Sequence, residues 1–122
     1  NITEVDAQNK LEKIRRISPK YLFPSFNTIA GSGKNGAIVH YRATKSNTKL
    51  IKKNEIFLCD SGGQYKFGTT DVTRTICFEN QNKNIKNIFT NVLKGHIAVA
   101  QTDLNKKKTG KLIDKDARKF LK

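Results

Sequence analysis

Apolar residues recur along this chain with two different periods, which divide it into helical ends and an extended middle. Near the start, Ala7, Leu11 and Ile14 keep helical spacing behind Thr3, a capping residue with Asp6 three positions on as its capping-box partner. Lys13, Arg15 and Arg16 suit the C-terminal end of the helix dipole, and Ser18-Pro19 stops the helix. Far along the chain, Ile85, Ile88, Phe89, Val92, Leu93, Ile97 and Ala100 recur at i, i+3, i+4, i+7 and predict a helix over 82–102, with helix-start residues at Asn80 to Asn84. His96 lies on that stripe and reads as a packed helix histidine. Asp114 reads as the cap of a last helix that turns Ala117, Phe120 and Leu121 inward. Between these helices, Tyr21 to Phe26, Ala37 to Tyr41, Ile56 to Asp60 and Val72 to Ile76 read as extended segments. Strands that follow one another through turns predict an α+β fold with an antiparallel sheet and flanking helices.

One hairpin organises the middle. The apolar run Ile56-Phe57-Leu58-Cys59 ends in Asp60, and eleven residues on Asp71 opens Val72-Thr73-Arg74-Thr75-Ile76. Gly62, Gly63 and Gly68 supply turn and bulge positions. A turn near Tyr65-Lys66 sets Asp60 directly opposite Asp71, where side chains stand roughly 5 Å apart and like charges destabilise. A hard divalent cation with oxygen ligands would remove that repulsion. Two solvated aspartates flanking a turn is the alternative reading, and a bulge at Gly62-Gly63 would shift the register. Upstream, Gly31, Gly33 and Gly36 spell GxGxxG, a dinucleotide signal only where a helix follows. Ala37 to Tyr41 reads as a strand instead, and Asn35 follows Lys34 where a P-loop needs Ser or Thr, so the segment is a glycine-rich connection. His40 ends that strand; a lone strand histidine is more often structural than catalytic, and its place beside the glycine loop and a polar, basic stretch from Thr44 to Asn54, which reads as a surface loop, favours a functional role somewhat more.

Composition changes this picture little. The 122 residues make one domain or part of one, with 24 basic against 10 acidic residues and a formal charge of +14. Such a charge invites a nucleic-acid or acidic-membrane partner. The positive charge is mostly Lys, though, spread among many Asn, with no arginine-rich run and no aromatic-interleaved signature, and this weighs against nucleic acid. Cys59 and Cys77 are the only cysteines; neither has zinc spacing, and both fall in predicted strands as small core residues. No apolar run is long enough to span a bilayer.

The quoted residues resemble the Xaa-Pro aminopeptidases (aminopeptidase P), metallopeptidases with the pita-bread fold. The likeness runs through Gly36-Ala37-Ile38-Val39-His40-Tyr41 and Leu58-Cys59-Asp60-Ser61-Gly62-Gly63-Gln64-Tyr65. It continues through Gly68-Thr69-Thr70-Asp71-Val72-Thr73-Arg74-Thr75, then Val92-Leu93-Lys94-Gly95-His96-Ile97-Ala98-Val99, and reaches Ile113 to Arg118. It is nearest to the long, three-domain cytosolic type. Departures are small: Phe67 stands where a charged residue is common, and Lys106 to Lys108 make a late loop more basic.

The resemblance implies that Asp60 is a terminal ligand of one metal, that Asp71 bridges two divalent metal ions, commonly manganese, and that His40 contacts substrate and assists proton movement. Two ions about 4 Å apart activate a shared hydroxide and polarise a scissile carbonyl. The implied reaction releases the N-terminal residue from peptides with proline in the second position. The family's remaining ligands, a histidine and two glutamates, would lie past Lys122. The chain is then the N-terminal half of the pita-bread domain, expected to be inactive alone, with core surface exposed. The parent protein would be a cytoplasmic homodimer. A methionine aminopeptidase or a prolidase shares the two aspartates, and a metal-free pita-bread binding or chaperone module is the alternative from another class.

Overall fold

The computed structural model describes residues 1–106 and 109–121, so Lys107 and Lys108 of the lysine-rich loop, and Lys122, lie outside the described residues. The chain divides into two units, Asn1–Asn80 and Gln81–Lys122.

The first unit opens with α1, Glu4–Arg15. Its predicted capping box is present: the Thr3 hydroxyl accepts from the Asp6 N–H at 3.1 Å, and the Asp6 carboxylate accepts from the Thr3 N–H at 2.9 Å. Four orphan N–H groups begin any helix, and this exchange satisfies two donors at that end. Six short strands follow: β1 Tyr21–Pro24, β2 Ile29–Ser32, β3 Ile56–Ser61, β4 Gly63–Tyr65, β5 Gly68–Thr69 and β6 Val72–Cys77. They form two antiparallel sheets, ordered β1-β4-β5 and β2-β3-β6. A 3-10 turn, Gly33–Ala37, leaves β2.

Three expectations for this unit are corrected. The glycine-rich segment is not all connection: Ile29–Ser32 pairs with β3 as strand β2, and Gly31 sits within that ladder. Ala37 to Tyr41 is not a strand: the 3-10 turn runs into a bend, with His40 at a φ of 55°. Ile38 and Val39 have strand propensity, but no described strand lies beside them to complete a ladder, and both are exposed. The hairpin itself is present with its register moved. Gln64 pairs with Thr69 and Tyr65 with Gly68, so the turn is Lys66-Phe67, one residue later than expected. Asp60 therefore faces Thr73, not Asp71.

The hairpin is also broken. Its base joins one sheet and its tip the other, and the break falls at Gly62. A Cβ there would strike the Thr70 carbonyl oxygen and the Ser25 hydroxyl, so only glycine lets the two strands and the β1 end approach. Ser25 ties the break together: its N–H donates to Gly62 O at 3.2 Å and its hydroxyl to Thr70 O at 2.9 Å.

The interior of this unit is small and polar. Ala30, Tyr41 and Phe57 are its buried apolar residues, and Glu4, Ser32, Asn35 and Ser61 are buried with them. Cys59 and Cys77 lie in β3 and β6 as expected and are free, but Cys77 is exposed on the edge strand rather than packed in a core, and Cys59 is only half-buried.

The second unit is a helix pair, α2 Lys83–Ala100 and α3 Gly110–Arg118. Asn82 caps α2, its side chain accepting from the Ile85 N–H at 3.0 Å, within the predicted range. The helices meet at Gly95, where a Cβ would strike the Ala117 carbonyl oxygen. Three details differ from expectation. His96 is exposed, because Gly95 and not His96 faces α3. Asp114 lies inside α3, which begins after Thr109, and its carboxylate binds Arg118 one turn on at 2.9 Å. Leu121 lies past the helix and is exposed, while Ala117 and Phe120 are half-buried. Among the described residues no helix is long and apolar enough to cross a membrane.

Candidate active site

A cleft of about 490 Å³ in the first unit is lined by Phe26, Asn27, Ile29, His40, Arg42, Asp60 and Asp71. All three residues singled out in the sequence, His40, Asp60 and Asp71, therefore face one space. Each arrives by a different route.

Asp60 is carried by β3, held between Ile29 of β2 and Thr73 of β6. Asp71 lies two residues before Thr73. Alternation along an extended chain puts it on the same side of the ladder as Asp60, as a diagonal neighbour. Diagonal neighbours stand about 7–8 Å apart, against about 5 Å for opposed ones. The moved register thus eases the repulsion that direct opposition would impose and leaves space between the carboxylates. Gly62 faces Asp71 across this break, and Thr70 just before it is fixed to Gly63 by three bonds, including its N–H to Gly63 O at 2.9 Å and the Gly63 N–H to its hydroxyl at 3.0 Å.

His40 is placed by a buried carboxylate. Glu4, fully buried at the start of α1, accepts from the Ser32 N–H at 2.7 Å, the Asn35 amide at 2.9 Å, the Tyr41 hydroxyl at 3.0 Å and the Lys49 N–H at 2.9 Å. Burial pushes this carboxyl up, but the hydrogen bonds from Ser32, Lys49, Asn35 and Tyr41 outweigh it and hold it below its ordinary value. Burial, then the bond to Glu4, pushes the Tyr41 phenol up, so it stays protonated and donates. With Tyr41 pulled inward, His40 and Arg42 on either side of it reach the cleft. The left-handed backbone at His40 costs about 1–2 kcal/mol, and the surrounding network holds it there.

The side chains in the cleft are chemically uncommitted. Asp60 Oδ1 is buried and has no hydrogen-bond partner. Among the described residues His40, Arg42 and Asp71 have no side-chain partner either. A buried carboxylate oxygen without a donor is costly, and a cation bound against it would offset that cost. Two carboxylates on one side of a ladder suit a hard, oxygen-preferring dication. The described residues contain no group of three His, Cys, Asp or Glu side chains arranged to hold a metal. Cys59 is no substitute: burial raises its thiol, which disfavours the thiolate that a metal or a nucleophilic role needs.

Neither Glu4 nor Arg42 stood out in the sequence. A glutamate after a capping threonine reads as a helix-start residue, and nothing local signals its burial. Arg42 carries a faint signal, its place two residues from His40 across an aromatic residue.

The chain matches metallopeptidase family M24 over residues 1–122. It belongs to that family. It is 45% identical over 120 residues to a probable Xaa-Pro aminopeptidase P of Phaeosphaeria nodorum, covering 98% of this chain and 18% of that protein. It is 42% identical to the Xaa-Pro aminopeptidase ApepP of Drosophila melanogaster, covering 98% and 20%. Among solved structures, the X-prolyl aminopeptidase of Caenorhabditis elegans, described as a cytosolic enzyme with a di-nuclear active site, superposes with a TM-score of 0.86 at 35% identity, covering 98% of this chain and 20% of that one. The prolidase of Pyrococcus furiosus superposes with a TM-score of 0.81 at 26% identity, covering 97% and 34%. The fold is thus α+β of the pita-bread type, as the resemblance implied, and the chain spans about a fifth of the length of the curated relatives it matches.

Proposed function

We propose that the cleft is part of the active site of a two-metal Xaa-Pro aminopeptidase, and that this chain contributes Asp60 and Asp71 as metal ligands and His40 as the substrate-facing histidine. The observation that carries this reading is that the three residues line one cleft in which Asp60 Oδ1 is buried without a partner. Names of the relatives support the specificity for proline, and a di-nuclear neighbour supports two ions. Manganese is the ion we assign to the carboxylate-rich set. The remaining ligands are assigned to sequence that follows this chain in the parent protein, which leaves the 122 residues inactive by themselves. A cytoplasmic homodimer is the form we assign to the parent.

When bound, the ions supply an activated water and polarise the scissile carbonyl. The chain's own residues do the rest. Asp60, in β3, and Asp71, just before β6, would hold the charge of the site. An imidazole N–H of His40 hydrogen-bonds the substrate carbonyl oxygen and steadies the charge that grows there. Phe26 and Ile29 give the cleft an apolar wall that suits a proline ring.

The test uses the full-length protein stripped of metal, with Ala-Pro-Ala and Ala-Ala-Ala as substrates. Manganese-dependent cleavage of the proline peptide alone is expected. Asp71→Asn should lower it by more than about a hundredfold, more than the loss typical of an outer-shell partner, and should weaken manganese binding by calorimetry. A folded protein that binds no divalent ion and cleaves neither peptide would overturn the reading and favour a metal-free binding module.

A further inference from the structure

We propose that Arg42 is a specificity residue whose guanidinium receives a carboxylate of the substrate, downstream of the bond being cut. This rests on the peptidase reading above and adds a preferred substrate class, short peptides with an anionic C-terminal side.

Three observations converge on Arg42. It lines the same cleft as Asp60, Asp71 and His40. Its backbone is pinned: the Asn47 amide donates to Arg42 O at 3.0 Å, Asn47 Oδ1 accepts from the Thr44 N–H at 2.6 Å, and the neighbouring Tyr41 ring is buried against Glu4. Its side chain, by contrast, is exposed and makes no hydrogen bond or ion pair among the described residues, although two carboxylates line the same cleft. A fixed backbone with an uncommitted guanidinium is an arrangement suited to meeting a ligand.

The chemistry of that ligand follows from charge. Arginine stays protonated at any working pH and presents a planar fork of donors that matches a carboxylate. A peptide carries an ammonium at one end and a carboxylate at the other. Arg42 attracts the carboxylate end of the peptide and repels the ammonium end. Arg42 thus orients the peptide as well as holding it. The position is open to water, so the attraction is screened by salt.

The experiment compares three peptides on the full-length, manganese-loaded protein at low salt: Ala-Pro-Ala, its C-terminal amide, and Ala-Pro-Asp amide. The free acid should exceed its amide by about tenfold in kcat/KM, chiefly through KM, as a charge-assisted hydrogen bond at an exposed site predicts. A gain for the Asp amide over the Ala amide would show that an acidic side chain also serves as the anion; no gain would confine the site to the terminal carboxylate. Arg42→Gln should erase the preference, and Arg42→Lys should restore part of it. A preference that survives Arg42→Gln, or a wild-type protein with none, would overturn the assignment. Should none of the three peptides be cleaved, the peptidase reading has failed and binding alone decides. Calorimetric titration of Ala-Pro and its amide must then show acid-selective binding that Arg42→Gln abolishes, and equal binding of the two would sink the role of Arg42.

Discussion

A single carboxylate sets the position of the candidate site. Glu4 touches nothing in the cleft, yet it gathers donors from β2, the 3-10 turn, Tyr41 and Lys49 and so fixes the turn that carries His40 and Arg42. Every partner donates to it, so an amide in its place would aim an N–H at a donor. Glu4→Gln should cost about 1–3 kcal/mol, the range for leaving a buried donor unsatisfied, and thermal unfolding would measure it. Its pH dependence has a definite sign. Glu4 is held below its ordinary value of 4.5, so its contribution is complete above pH 4.5 and is lost as pH falls through its lower value in the folded protein. Acid unfolding of the wild type should steepen in that window, and Glu4→Gln should remove that part of the slope. The three acid–base residues of the cleft were legible in the sequence because their types and neighbouring motifs carry chemistry. Glu4 was not, because its role arises from contacts that only the fold creates.

At the level of elements, the hairpin was legible and its register was not. The apolar runs and glycines marked two strands and a turn, but a shift of one residue in the turn was enough to move Asp71 from directly opposite Asp60 to diagonal. The short ladder gives no long hydrophobic alternation to pin the pairing, and the actual register is fixed by bonds among Ser25, Gly62, Gly63 and Thr70. Helices α1 and α2 were read closely, because caps are local features. The strand expected at Ala37 to Tyr41 failed because extended structure needs a neighbour, which propensity cannot supply. Gly62 offers the test at this scale. Gly62→Ala places a methyl against the Thr70 carbonyl and the Ser25 hydroxyl, and should destabilise the first unit by about 1–3 kcal/mol or more. In the full-length protein the same change should weaken manganese binding, since Thr70 is followed by Asp71; unchanged affinity would separate the break in the hairpin from the placement of that carboxylate.

Over the whole molecule, much apolar surface faces water. Val72 is 46% exposed, Ile76 40% and Phe78 54%, and β6 is an edge of its sheet. An uncovered apolar edge strand invites association. The isolated 122-residue chain should therefore bind a hydrophobic dye and sediment with a concentration-dependent mass, and Ile76→Lys should reduce both; a monomer at high concentration would show that its +14 charge suffices to keep copies apart. The Glu4 junction has a further consequence, in time. Its bonds close across 28, 31, 37 and 45 residues. The entropy of closure grows so slowly with length that the longest of these costs only about half a kcal/mol more than the shortest. Once one forms, the others follow at little expense, and the junction assembles as a single event. During synthesis at about 5–20 residues per second, the first helix must wait some 2–9 s for Lys49 to be made. A lone helix of 12 residues is marginal in water. The turn that carries His40 is thus set late, when a helix made at the start is captured by a loop made seconds afterwards.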